Sequence, residues 1–340
     1  MTQSTVAIAA PEIPAVVAGP RPGVTRALTI AGKYGTIIGL AAMIILLSIA
    51  APGTFLSTQN FVNVITQNSL IAIVACGMTL PLVVGEFDLS LGFTASFAGV
   101  LAVGLMTNQH LPIAAAIGLS LAMGAVVGLV NGLLVTQLGV NALIATLGTG
   151  TVVVGINYGY TNGMPINLIG NKGFLQLALG KSFGVIPNPV ILVLIVVAIL
   201  WLLLNRTVLG QQMQAVGGNN EAARLSGVRV DRVRVWAFVI AAFCAALAGV
   251  MLASRVGSGQ LTAGDGYSMA SFAAVFLGSA ALRDGEFHIL GTVIGVLLVG
   301  FGYNGLAILG APTFYQSIFS GGLLIAAVAL STVARRYAGR

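Results

Sequence analysis

Charge is what this 340-residue chain has least of: 7% of its residues are Asp, Glu, Lys or Arg, against roughly 25% in a soluble globular domain. A water-facing surface cannot be built from so few. Charged residues are missing altogether between Lys33 and Glu86, between Asp88 and Lys172, and between Glu286 and Arg335, gaps of 52, 83 and 48 residues. About 20 apolar residues suffice to cross a bilayer. Cysteine is also scarce. Cys76 and Cys244 each stand inside an apolar run and read as small buried hydrophobes, not as a bridge or a metal pair. The two histidines, His110 and His288, lie at the edges of apolar runs, where a structural role is the ordinary one. These shortages exclude a cytosolic enzyme, a disulfide-stapled secreted domain and a nucleic-acid-binding domain. No catalytic residue, metal site or cofactor is expected.

What remains is 57% hydrophobic and reads as an all-α, polytopic transmembrane helical bundle. Residues 1–33, rich in Ala, Pro and Val with Arg21, Arg26 and Lys33, show no periodicity and are expected to form a disordered tail. The apolar run that follows is longer and further from the start than a signal peptide's core, so it reads as an uncleaved first span of a transmembrane domain over 34–334. About ten spans are expected, near 35–51, 60–84, 91–106, 111–136, 140–160, 188–204, 235–254, 268–282, 287–308 and 314–333.

The net charge of +7 is a topology signal. Cytoplasmic loops collect Lys and Arg, and three segments do so here: the N-terminal tail, the loop 205–234 with Arg206, Arg224, Arg229, Arg232 and Arg234, and the C-terminal tail 335–340 with Arg335, Arg336 and Arg340. Six crossings before that loop and four after it put all three, and both termini, in the cytoplasm. No nucleic-acid partner is needed to explain the charge.

Glycine, 45 residues, often recurs at every fourth position, as in Gly124, Gly128 and Gly132 or Gly155 and Gly159, a spacing that lets helices approach closely in lipid. A faint internal repeat relates "GLVNGLLVTQLGVNALIATLG" around Asn131 to "GFGYNGLAILGAPTFYQSIFSGG" around Asn304. The copies fall on the fourth and ninth spans, so the repeat is inverted, an arrangement common in transporters.

Two segments could carry function. "GMTLPLVVGEFDLSLG", residues 77–92, sets Glu86 and Asp88 among apolar runs, with Pro81 and glycines breaking the helix. Asp88 reads either as a helix cap, accepting N–H bonds from Ser90 and Leu91, or as part of a polar pathway with Glu86, Ser90, Asn131 and Asn304. The second segment is "GGNNEAARLSGVRVDRVR" in the loop 205–234. Asn219 or Asn220 can cap a short helix, Glu221 suits its first turn, and Gly227 suits its stop. Glu221 and Arg224 share one face, and Ala222 and Leu225 offer a small apolar patch.

That loop, read on from Ala215, resembles the cytoplasmic loop of membrane subunits of ribose-type sugar importers in the ATP-binding cassette superfamily. "GMTLPLVVGEFDLSLG" is similar to a "GMT…GGIDLSVG" segment there, and "LVNGLLVTQLGVNALIATLGT" and "LASRVGSGQLTAGDGYSMASFAAVFLGSAAL" match in the same order, from about residue 55 to 330. Departures are Glu86 and Phe87, where that family usually has Gly and Ile, and "RDGEFHILGT", where it tends to a Gly/Ser-rich turn. The resemblance implies a bacterial inner-membrane permease without catalysis of its own. It pairs with a second permease subunit, as homodimer or heterodimer, in membrane lipid, beneath an extracytoplasmic substrate-binding protein and above a cytoplasmic ATPase subunit. It assigns docking of that ATPase to Gly217, Gly218, Asn219, Glu221, Ala222, Ala223, Arg224, Leu225, Ser226 and Gly227. The cargo it implies is a small sugar or polyol.

"LQLALGKS", residues 175–182, ends like a phosphate loop but has Leu175 where the first glycine belongs, so ATP is expected to be hydrolysed by another polypeptide. The segment from Thr161 to Pro187, with Lys172 and Lys181, is expected outside, where it would receive the binding protein together with the loop from Arg255 to Tyr267. The rival reading is an ion-coupled secondary transporter in which Asp88 or Glu86 binds a proton or Na⁺.

Overall fold

In lipid every backbone N–H and C=O must find a partner within the protein, and a helix provides this within one segment. The computed structural model describes residues 22–279 and 285–337. Its helices are α1 (Pro22–Ala50), α2 (Thr58–Val83), α3 (Leu91–Thr107), α4 (Ile113–Thr136), α5 (Ala142–Thr161), α6 (Lys172–Leu179), α7 (Asn188–Arg206), α8 (Val208–Gly218), α9 (Asn220–Leu225), α10 (Val230–Val256), α11 (Asp265–Ser279), α12 (Ile289–Ile308) and α13 (Phe314–Tyr337). Six of them, α2, α4, α5, α7, α10 and α12, are long and apolar enough to cross a bilayer; Thr36–Ala50, α3 and Phe314–Ala326 are shorter apolar stretches.

Helices α2 and α10 form the centre, each with 67% of its most apolar window buried, against 22% for α4. They pack on each other, and each also packs into the other half of the chain: α10 lies on α3 and α4, and α2 lies on α11 and α12. With the short helices α6, α8 and α9 left out of the count, α2 and α10 are second and seventh among the described helices, α3 and α11 third and eighth, α4 and α12 fourth and ninth. The packing is therefore the same with the halves exchanged, which fits the repeat seen in the sequence.

Small residues permit this approach. A β-carbon at Gly132 would stand 2.8 Å from Val235 Cα, and one at Gly128 would stand 2.7 Å from Val239 Cα; both put α4 directly against α10. Gly155 and Gly159 on α5 differ, since no atom of the described residues beyond their own helix lies within 4 Å of either position. Thr79 and Thr292 hydroxyls meet at 2.8 Å between α2 and α12, a buried polar tie between these two helices.

Three sequence expectations are corrected. Helix α1 begins at Pro22, inside the stretch read as a tail, because proline at a first helical position gives up an N–H that has no partner there anyway; residues 1–21 lie outside the described residues. At the other end α13 continues to Tyr337, so Arg335 and Arg336 are helical, while 338–340 lie outside the described residues, as do 280–284. Pro81 does not break α2 but sits in its last turn, where its carbonyl accepts from Val84 N and Glu86 N; Gly85, at φ +84°, turns the chain out. The segment before α7 carries structure of its own. Helix α6 docks Phe174 and Ala178 inward, and Ser254 of α10 accepts from Ala178 N at 3.1 Å and donates to Phe174 O at 2.6 Å. Strand β1 (Ile166–Asn167) pairs with β4 (Ser258–Gly259), and β2 (Lys181–Ser182) with β3 (Ile186–Pro187). These short ladders are the described exceptions to an all-α fold.

"LQLALGKS" runs out of helix α6 into strand β2, the reverse of the strand, loop and helix order of a phosphate loop.

Candidate functional site

The stretch read as the loop 205–234 is shorter than expected, because Asn205 and Arg206 end α7 and residues 230–234 open α10; between them the chain folds into two short helices. Thr207 caps α8 by accepting from Gly210 N at 3.1 Å. Asn219, extended at φ −156°, caps α9 by accepting from Ala222 N at 2.9 Å, so the sequence's choice between two asparagines falls on the first. The exit is a Schellman turn: Gly227, at φ +85°, donates to Arg224 O, and Val228 N donates to Ala223 O at 3.1 Å. Ala223 is buried, and Val228 is partly buried against the same core. Helix α9 is held by capping at both ends instead of by length.

Its remaining faces are open. Glu221, Ala222, Arg224, Leu225 and Ser226 are exposed, and Leu225 at 86% is a large apolar side chain left in solvent. Arg224 and Asp231 approach to 3.8 Å, both well exposed, a contact that adds little stability in water. Gly217 and Gly218 close α8. A β-carbon at Gly217 would overlap the Val83 carbonyl oxygen, whereas Gly218 has open space. The end of α8 therefore rests on the C-terminal end of α2 through Gly217.

The turn between α2 and α3 lies at that contact. Arg234 Nη2 reaches Glu86 Oε1 at 2.6 Å, with side-chain exposures of 23% and 12%. Burial pushes the Glu86 carboxyl above its ordinary value, and the Arg234 guanidinium beside it pulls the other way. Two residues on, Asp88 Oδ1 accepts from Ser90 N at 2.9 Å and from Ser90 Oγ at 2.6 Å. Ser90 Oγ accepts from Asn131 Nδ2 at 2.9 Å, and Asn131 Oδ1 accepts from Thr149 Oγ1. Leu89 N donates to Thr146 Oγ1 at 3.1 Å. Asp88, Ser90 and Asn131 are fully buried, so this chain of bonds welds the turn to α4 and α5.

The five residues expected to line a pathway thus separate. Asp88, Ser90 and Asn131 form one buried network; Glu86 turns away to Arg234. Asn304 stands elsewhere, where it and Asn60 exchange amide hydrogen bonds at 2.8 and 3.0 Å. Asp88 bonds to Ser90 but not to Leu91, because α3 starts at Leu91 and its cap position is taken by Ser90, one residue beyond the reach expected of Asp88. Sequence reasoning missed Arg234 as the partner of Glu86, and Thr146 and Thr149 as partners of the turn.

The family described as "Branched-chain amino acid transport system / permease component" matches residues 60–328. The chain belongs to that permease family. It is similar to the ribose import permease of Bacillus subtilis (strain 168), 40% identical over 299 residues that cover 88% of this chain and 92% of the relative. It is also similar to the D-allose transport system permease of Escherichia coli (strain K12), 35% identical over 298 residues, 88% and 91%, and to that strain's L-arabinose transport system permease, 37% identical over 299 residues, 87% and 89%. The matched region contains the buried turn, α8, α9 and the central pair α2 and α10. With six helices able to cross a bilayer, the chain is a multi-pass membrane permease.

Proposed function

We propose that this permease is the membrane subunit of an ATP-driven, binding-protein-dependent importer of a small sugar or polyol in a bacterial inner membrane, and that a separate ATPase docks on α9. The observation that carries the reading is α9 itself: six residues, capped at both ends, with Leu225 exposed beside Ala222 and Glu221. An isolated helix of this length is unstable in water. One that is preformed and presents an apolar side chain has the build of a docking element. Relatives named for ribose, allose and arabinose support a sugar as cargo.

Ten crossings with both termini in the cytoplasm are supported by three long-range pairings. Glu86 follows the second crossing and Arg234 the sixth; Asn60 follows the first and Asn304 ends the ninth; β1 follows the fifth and β4 the seventh. Each pairing joins segments that this count puts on the same side. The outer segment, with α6 and the β2–β3 hairpin whose tip exposes Phe183 and Val185, is the surface for a substrate-binding protein. The open positions of Gly148, Gly155 and Gly159 along α5 suit close approach of a second permease subunit. Asp88, Ser90 and Asn131 hold the inner turn in shape.

The docking claim is tested by Glu221→Lys, Arg224→Glu and Leu225→Asp. Each should abolish uptake and weaken copurification of the ATPase while leaving the permease at normal levels in the membrane. Unchanged uptake in all three would remove the docking claim.

A further inference from the structure

Glu86 and Phe87, where the resembled family usually carries Gly and Ile, are the residues with which the inner turn grips its neighbours. Three consecutive side chains point to three different elements. Glu86 pairs with Arg234 at the base of α10. Phe87 stacks on Phe272 and Phe276 of α11, with ring centroids 6.3 Å away in both cases. Asp88 binds Ser90, and through it Asn131 of α4 and Thr149 of α5. The same turn meets the docking segment a second time, because Gly217 of α8 rests on the Val83 carbonyl.

We propose that Glu86 and Arg234 are positioning residues for energy coupling: their ion pair makes the turn between α2 and α3 move with the ATPase-docking segment, and so passes that movement to α3, α4 and α11. The proposal rests on the importer reading. Gly217 alone is a one-sided contact that can push the turn but not pull it. The ion pair, being short and mostly shielded from water, holds in both directions. The pair joins the turn to the first turns of α10, the end of that helix into which the chain runs from α8 and α9. Among the described residues Arg234 Nε is buried without a partner, so the guanidinium keeps a donor with which to follow a displaced carboxylate.

The test uses the complete complex of permease, ATPase and binding protein in lipid nanodiscs, and reads the ratio of ATP hydrolysis with and without the sugar-loaded binding protein. Glu86→Gln and Arg234→Gln should each lower that ratio by about three- to tenfold, the size of effect that substitutions along a coupled element commonly have, while the ATPase still copurifies. The double variant should lose no more than the worse single one, since both remove one interaction. Because glutamine is nearly isosteric with Glu86, that variant carries the test even if Arg234→Gln folds poorly. Ratios within about twofold of wild type, below the range such couplings show, or additive losses in the double variant, would overturn the proposal and leave the importer reading standing. Loss of the ATPase from the variants would also overturn it, by making the pair a docking determinant. A wild-type complex without any stimulation would overturn both.

Discussion

Asn304 and Asn60 exchange two amide hydrogen bonds, at 2.8 and 3.0 Å, and so tie the end of α12 to the start of α2. Asn60 Nδ2 also donates to Phe55 O at 2.8 Å, which extends the tie to the link after α1. Replacing Asn304 with Ala leaves Asn60 without its reciprocal partner in a partly buried place, at a cost of about 1–3 kcal/mol. The expected result is a lower Tm of the purified protein in detergent, with a second substitution, Asn60→Ala, adding less than its single-variant loss.

Asp88 is expected to act through its shape. Asn keeps an oxygen where Oδ1 accepts from Ser90 N and Oγ, so Asp88→Asn should express and transport with a stability loss of about 1 kcal/mol or less. Asp88→Ala removes both acceptors inside a buried network and should lose about 1–3 kcal/mol, seen as reduced membrane levels. A well-folded Asn variant with no uptake would show that the carboxylate's charge is used in transport.

Gly217 and Gly218 are neighbours with opposite constraints. A methyl group at Gly217 overlaps the Val83 carbonyl, while Gly218 faces open space. Gly217→Ala should therefore force α8 off the end of α2, an overpacking cost of about 1–3 kcal/mol, and reduce uptake. Gly218→Ala should change stability by no more than about 0.5 kcal/mol. Thermal unfolding and uptake measured for both variants check the contrast.

Much of the architecture was legible because lipid imposes strong local rules. Long uncharged runs mark helices, and α2, α3, α4, α5, α7 and α12 begin and end within two residues of the expected spans. The caps of α9 were legible as well, since Asn219, Glu221 and Gly227 each act within one turn of the chain. Long-range pairing was not. Nothing near Glu86 announces Arg234, 148 residues away, and Asn304 resembles Asn131 in its surroundings while bonding to a different helix end. Helix α6 was missed because a helix with a single inward face, Phe174 and Ala178, carries too short a pattern to be told from a loop.

The central claim is that this chain moves its cargo with energy supplied by another polypeptide. Uptake into proteoliposomes that hold the permease, offered ribose, allose and arabinose, measures it directly. The expected result is uptake only when the ATPase, ATP inside and the binding protein outside are all present, unaffected by collapse of the proton and Na⁺ gradients. Uptake by this chain alone, driven by either gradient, would contradict the account.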